Sequence, residues 1–267
     1  MSKTAILKLG GSIITQKKSG KPVLKEAFVK KAAKELSLAL KRKPGPKLIL
    51  LHGAGSFGHP LVYKYRLKNQ KLKIASFNHI GQVVRQLRDL GNELTKIFIA
   101  QGLPLVPLQT SSLFIRNKGK TILKNFSVIE TILKGGGIPL LGGDLTLGGD
   151  RVYVLSADEI SVLLAKRIKN SQLFFATDVE GVYKSFPPLK GEKAIELLQG
   201  QELKLFLEKN TALTTLGKHD VSGDVLGKLK QLTFLKNNKA FIFNGQKPHL
   251  ISKALKGEKV KGTTIFL

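Results

Sequence analysis

The chain has 267 residues and a mass of 29.2 kDa, with 45 Lys+Arg against 18 Asp+Glu and a formal charge of +27. A hydrophobic share of 42% supplies a sizeable core and excludes whole-chain disorder. Zero Cys excludes disulfides, thiolate metal sites and cysteine nucleophiles, and suits a reducing cytoplasm. No apolar run approaches the roughly 18–20 residues of a membrane span, and the opening MSKTAILKLGGS lacks a signal-peptide pattern. The expectation is a cytoplasmic protein with no membrane partner.

Thr4–Leu9 is predicted as a strand ending in a Gly-Gly turn. Lys25–Lys41 carries Phe28, Ala32, Leu36 and Leu40 at helical spacing and stops before Pro44. Lys47–His52 has the continuous apolar run of a strand buried on both faces. A long helix is predicted from about Ile74 to Gln101, then a strand over Leu103–Leu108. Phe114–Leu123 reads as a hairpin around Asn117-Lys118-Gly119, Ser127–Lys134 as a helix and Ile138–Leu141 as a buried strand. Leu145–Leu155 reads as a second hairpin turning at Gly148-Gly149, followed by a helix over Ala157–Lys169 and a strand over Gln172–Thr177. After a loop-rich stretch through Pro187-Pro188, helices are predicted near Ala194–Lys209 and Val225–Lys236. The strand Ala240–Phe243, a short helix and the strand Thr263–Phe266 complete the chain. This alternation predicts an α/β fold with a mostly parallel sheet covered on both faces and two local β-hairpins. One continuous domain or two tightly packed lobes both satisfy it.

A pI near 10.2 raises the possibility of a nucleic-acid partner. The lysines, however, are spread along the whole chain, as with Lys30, Lys31, Lys34 and Lys41 on the polar face of one helix. Aromatics make up only 7% and do not interleave a basic segment. The residues therefore favour a Lys-rich solvated surface over a nucleic-acid site, with part of the charge open to a small polyphosphate.

Three Gly-rich turns each follow a buried strand: Lys8-Leu9-Gly10-Gly11-Ser12, Gly53-Ala54-Gly55-Ser56-Phe57-Gly58-His59-Pro60 and Gly142-Gly143-Asp144. Ligands of open α/β sheets bind outside the carboxyl ends of the strands, where glycine lets backbone N–H groups approach an anion. A single such turn is an ordinary strand-to-helix connection; three together favour a phosphate cradle. The second turn matches G-x-G-x-x-G, but the acid expected about 20 residues later is missing: the first after Gly58 is Asp89. A Walker loop is absent too, since Gly223–Lys228 has the wrong spacing and is followed by Leu229. Lys8 is a charge in an apolar strand, costly unless paired or aimed at a ligand. His59 stands at the mouth of the second turn. Ser156 and Glu159 have capping-box spacing, which leaves Asp158 to orient lysines. Asp178 ends a strand as a nucleoside contact would, and Lys228 follows the polar loop that begins at Gly217.

Nearly end to end, the motifs LKLGGSIITQK, HGAGSFGHP, LGGD, SADE, ATDVEGVY, DVSGD…GK and FIFNG resemble the amino acid kinase superfamily, and within it the isopentenyl phosphate kinases. The HGxGSFGHP histidine is the most specific feature, although fosfomycin kinases carry a related one. The resemblance implies an open αβα sandwich, a homodimer, and ATP-dependent phosphorylation of isopentenyl phosphate to isopentenyl diphosphate, with Mg²⁺ carried by ATP. It implies a single domain over 1–267, with an acceptor lobe at about 1–170 and a nucleotide lobe at about 171–267. Carried over by position, Lys8, Leu9, Gly10, Gly11 and Ser12 form the nucleotide phosphate loop, and Lys17 stabilises the transition state. Gly55, Asp178, Gly223 and Lys228 also face ATP. Ala54, His59 and Ala157 hold the acceptor phosphate, while Asp158 organises Lys8 and Lys228. Phe77, Ile80 and Val84 are candidates for the slot of the apolar tail, with ordinary core packing as the competing explanation. Three positions depart from the family pattern: Ala54, Ala157 with Glu159, and Ser222-Gly223-Asp224-Val225 in place of Thr-Gly-Gly-Met.

Overall fold

The computed structural model describes residues 3–16, 21–41, 45–185, 188–215 and 223–267. In chain order the elements are β1 (Thr4–Leu9), α1 (Gly11–Ile14), α2 (Glu26–Leu40), β2 (Lys47–His52), α3 (Gly55–Lys64), β3 (Gln70–Lys71) and α4 (Ile74–Ile99). Then follow β4 (Leu105–Pro107), α5 (Thr110–Leu113), β5 (Phe114–Asn117), β6 (Lys120–Leu123), α6 (Ser127–Lys134), β7 (Ile138–Gly142), β8 (Asp144–Gly148) and β9 (Arg151–Leu155). The remainder comprises α7 (Ala157–Arg167), β10 (Ser171–Thr177), β11 (Leu197–Gln199), α8 (Gly200–Thr215), α9 (Gly223–Leu232), β12 (Lys239–Asn244), α10 (Leu250–Leu255) and β13 (Thr263–Phe266).

The strands β11-β13-β12-β10-β1-β2-β7-β4 form one eight-stranded sheet in that order, and every neighbouring pair is parallel except β12 with β13. Alternate residues of the central strands feed two cores. Leu7, Leu9, Leu50 and Phe174 pack with buried residues of α2, α3, α4 and α10, whereas Ile6, Ile49, Leu51 and Phe175 pack with α6, α7 and α9. Burial on both faces explains why β1 is buried at all six positions and reads as an unbroken apolar run save for Lys8. The fold is the expected α/β sandwich with a mostly parallel sheet. Lys30, Lys31, Lys34 and Lys41 are exposed, while Val29, Ala32, Ala33 and Leu36 of the same helix are buried.

The two ends of the chain are tied together on one face. The Glu35 carboxylate of α2 accepts the amides of His249, Ile251 and Ser252 at 2.7, 3.1 and 3.3 Å, satisfying the first turn of α10.

The structure departs from the sequence expectations in several places, among them the strand expected over Leu103–Leu108, which spans Leu105–Pro107, and the helix expected over Val225–Lys236, which spans Gly223–Leu232. The segment predicted as one helix over Ala194–Lys209 begins with a strand: β11 pairs in parallel with β13, and the helix starts only at Gly200, whose φ is +50°. Two adjacent leucines satisfy either period, and pairing with a distant strand decides between them. The second turn continues as helix α3 in spite of Gly55, Gly58 and Pro60, all poor helix formers. The second hairpin turns one residue later than expected, at Gly149-Asp150, and gains β3 as a third strand on β9. The helix starting at Ala157 ends at Arg167.

Candidate active site

Parallel register brings the carboxyl ends of the central strands to one edge of the sheet. Leu9 lies beside His52 and Ala176, His52 beside Gly142, and Thr177 beside Asn244. One backbone hydrogen bond past each pair ties the turns together: Gly143 donates to His52 (3.0 Å), Gly53 to Leu9 (2.9 Å), Gly10 to Ala176 (2.9 Å) and Gly245 to Thr177 (2.9 Å). All three Gly-rich turns therefore share this edge with Asp178.

The first two turns touch backbone to backbone. A Cβ on Gly11 would stand 2.6 Å from the Gly55 nitrogen, and one on Gly53 would stand 2.5 Å from the Gly11 nitrogen, so no side chain fits at either. Gly55 also needs its φ of +49°, and a Cβ there would collide with Thr15. Thr15, which the sequence reading passed over, is the peg between these turns. Its hydroxyl donates to the Gly11 carbonyl at 2.8 Å and accepts the Ser56 amide of α3 at 3.0 Å. The Lys25 ammonium donates to the Ser12 carbonyl at 2.7 Å from the start of α2. A threonine closing an apolar four-residue helix was the available signal; its distant partners were invisible in one dimension.

Lys8, buried in β1, donates to both oxygens of Asp158 at 2.7 and 2.8 Å. Lys228 of α9, equally buried, reaches the same two oxygens at 3.1 and 3.2 Å and lies 5.2 Å from the centre of the Phe175 ring. Segments separated by 150 and 70 residues thus converge on one carboxylate in the first turn of α7. The predicted capping box is half formed: Ser156 accepts the Glu159 amide at 3.1 Å, but the Glu159 carboxylate turns instead to Arg116 and Thr121 on the first hairpin.

The N-termini of α3 and α7 meet at Gly143. A Cβ built there would lie 3.7 Å from the Ala54 nitrogen and 3.5 Å from the Ala157 nitrogen, so both amides border one small space. Amides of a first helical turn have no intrahelical acceptor, and together with the helix dipoles they favour an anion. In the first Gly-rich turn, the Ser12 hydroxyl is buried and finds no hydrogen-bond partner among the described residues. A buried hydroxyl left in that state is costly, and a phosphate oxygen would satisfy it. The donor set fits a nucleotide phosphate. No group of three or more metal-ligating side chains occurs among the described residues.

Leu9, Gly10, Gly11 and Ser12 form the first turn, Ala54 and Gly55 open α3, and His59 is exposed on the same helix. Asp178 is exposed at the end of β10, and its oxygen accepts the Thr177 hydroxyl at 3.1 Å. Beyond it, Val179, Val182, Tyr183, Phe206, Val225 and Leu226 line a narrow, mainly apolar cleft. Gly223 begins α9, whereas Lys17 and Ser222 lie outside the described residues. Ile80 and Val84 pack, partly buried, on the first core, while Phe77 is half exposed on the same helix.

Two buried groups beside the turns escaped the sequence reading. Burial pushes the His52 imidazole down to about 4 against a weaker opposing bond to the Gly53 carbonyl, leaving it neutral at physiological pH. Asp144 is held above the usual carboxylate range by burial, with its own downstream amide, Ser111 and Arg88 opposing. Its oxygens accept the Gln109 side-chain amide at 2.8 Å and the Ser111 amide at 3.0 Å. A histidine closing an apolar strand and an acid following Gly-Gly were the only traces of either in the sequence.

An open αβα sandwich with anion-directed turns and paired lysines at its carboxyl edge defines a phosphate-handling enzyme class, and the comparisons name it. Residues 3–244 match the model of the Amino acid kinase family, and the chain belongs to that family. It is 30% identical to the isopentenyl phosphate kinase of Methanothermobacter thermautotrophicus, over 97% of this chain and 98% of the relative. It is 32% identical to the isopentenyl phosphate kinase of Methanocaldococcus jannaschii, over 97% of each. A crystal structure of an isopentenyl phosphate kinase superposes with a TM-score of 0.80 at 27% identity, covering 98% of this chain and all of that one.

Proposed function

We propose that this protein transfers the γ-phosphoryl group of ATP to the phosphate of isopentenyl phosphate, giving isopentenyl diphosphate in an alternative mevalonate route. The convergence of Lys8 and Lys228 on the Asp158 carboxylate, at the edge where the three Gly-rich turns meet, carries this reading.

Phosphoryl transfer between two anions demands in-line positioning and neutralisation of charge more than covalent help from the protein. A phosphate monoester is already ionised near neutrality, so its oxygen attacks without a strong general base. In this reading Gly10, Gly11, Ser12 and Gly55 face the nucleotide phosphates, with Lys8 and Lys228 held by Asp158 against the transferring group and Lys17 joining them. The amides of Ala54 and Ala157, together with His59, hold the acceptor phosphate. Asp178 and the cleft beyond it take the nucleoside, next to the Gly223 turn. Phe77, Ile80 and Val84 border the apolar tail. Mg²⁺ carried by ATP would supply charge neutralisation for the transferring group, in addition to that of the lysines. The first part of the chain, to about residue 170, serves the acceptor and the rest the nucleotide. A cytoplasmic homodimer completes the proposal, and light scattering tests its stoichiometry.

The deciding experiment measures ADP release with isopentenyl phosphate, dimethylallyl phosphate and fosfomycin. Isopentenyl phosphate is expected to give the highest kcat/KM. His59→Ala is expected to raise the KM for isopentenyl phosphate about tenfold or more, as loss of a hydrogen bond to a charged group does, with the KM for ATP unchanged. A preference for fosfomycin, or unchanged acceptor kinetics in His59→Ala, overturns the assignment.

A further inference from the structure

A cavity of about 260 Å³ lies at the carboxyl ends of β2, β4 and β7, walled by Leu87, Arg88, Gly91 and Asn92 of α4. His52, Gln109, Gly143 and Asp144 also line it, so the cavity adjoins the acceptor space at Gly143, but none of its polar side chains takes part in the phosphoryl-transfer arrangement above. At about 30 Å³ of liquid per water, the space suits roughly eight non-hydrogen atoms.

His52 is only 4% exposed. It lies over Gly142, where a Cβ would stand 2.4 Å from Nε2, and faces Gly91, where a Cβ would stand 3.9 Å from Nε2. Nδ1 lies 3.3 Å from the Gly53 carbonyl, which places the single proton of the neutral ring on Nδ1. Nε2 is then a bare acceptor with no hydrogen-bond partner among the described residues. At the exposed mouth, Arg88 donates Nε to Gln109 Oε1 at 2.5 Å, which keeps its remaining guanidinium donors at the entrance. The Asp144 oxygens already accept from Gln109, Ser111 and Leu145.

A bare acceptor inside and a guanidinium at the mouth define complementary chemistry. An apolar occupant would satisfy neither group, and an ammonium would meet the like charge of Arg88. We propose that this cavity is a second ligand site for a small hydroxylated anion, whose hydroxyl donates to His52 Nε2 while its carboxylate or phosphate accepts from Arg88.

The test titrates ¹⁵N-labelled protein with glycerate and follows the imidazole nitrogens, with His52→Gln identifying the His52 signals by their loss. Glycerate is expected to shift the Nε2 resonance saturably at millimolar concentration. Propionate, which lacks the hydroxyl, and glycerol, which lacks the charge, are expected to leave it in place. Arg88→Gln, at an exposed position, is expected to keep the fold and weaken glycerate about tenfold, as loss of a charge-assisted hydrogen bond does. An unshifted His52 at tens of millimolar glycerate overturns the proposal. So does an equal response to glycerol, unchanged affinity in Arg88→Gln, or a response confined to His59.

Discussion

The hydroxyl of Thr15 accepts the amide of Ser56 at 3.0 Å and donates to the carbonyl of Gly11 at 2.8 Å, so one completely buried side chain holds two Gly-rich turns in register. Thr15→Val preserves shape and removes both bonds, leaving an amide in the first turn of α3 unpaired. The expected cost is about 1–3 kcal/mol, read as a lower Tm. Because both turns shift, kcat/KM is expected to fall for ATP and for the acceptor. Thr15→Ser, which retains the hydroxyl, should stay close to wild type in both measurements.

The two ends of the buried ion cluster should respond differently. Lys8→Met replaces an ammonium by an apolar chain of similar length and leaves Lys228 on Asp158, so the fold is expected to survive. Turnover should nevertheless fall about 10²–10³-fold, the scale seen when a preorganised electrostatic donor is lost. Asp158→Ala strips both lysines of their common partner, and removal of one member of a buried pair costs about 3–5 kcal/mol. Chemical denaturation alongside single-turnover kinetics separates the two outcomes; equal loss of stability in both variants contradicts the assigned roles.

Gly143 offers a steric probe of the acceptor space. An added methyl would make ordinary contacts of 3.5–3.7 Å with Ala157, Leu155 and Ala54, so Gly143→Ala is expected to melt near the wild-type temperature. That methyl would nonetheless occupy the space bordered by the two helix amides. The KM for isopentenyl phosphate should rise about tenfold, the scale of one hydrogen bond to a charged group, with the KM for ATP little changed.

His52 makes stability depend on pH. Its folded value of about 4 lies below the ordinary value of 6.5, so between those limits the unfolded chain binds the extra proton. Stability contributed at neutral pH is therefore lost as pH falls from 6.5 to 4, by up to about 3 kcal/mol. Asp144, raised above its ordinary value, acts oppositely near the acid end of that window, where the folded form holds the extra proton. Denaturant titrations across this range should show a steeper acid loss in wild type than in His52→Gln. Parallel curves would mean that the ring is already solvated in the native state.

The central strands were legible because each is buried on both faces, which forces apolar runs such as Lys47–His52. Lys8 was legible for the converse reason, as a charge where none is expected. Helix α3 was not: Gly58 is present because a Cβ would lie 2.6 Å from that of Ala54 and 3.0 Å from Leu87, a constraint of packing rather than of helix propensity. Strand β11 was hidden because its partner β13 lies more than sixty residues downstream. Thr15, His52 and Asp144 take their meaning from contacts made across the sheet or between turns, and no local pattern announces those.

By itself, the sequence determined the alternation of strands and helices, the Gly-rich turns after buried strands, and the motifs shared with a kinase family. Which turns touch, which lysines share a carboxylate and where a neutral histidine faces a cavity were decided only by the tertiary structure. Local residue pattern responds to burial and to backbone conformation within a few residues. A site assembled from strand ends is instead set by parallel register, which brings distant segments to one edge and closes their hydrogen bonds there.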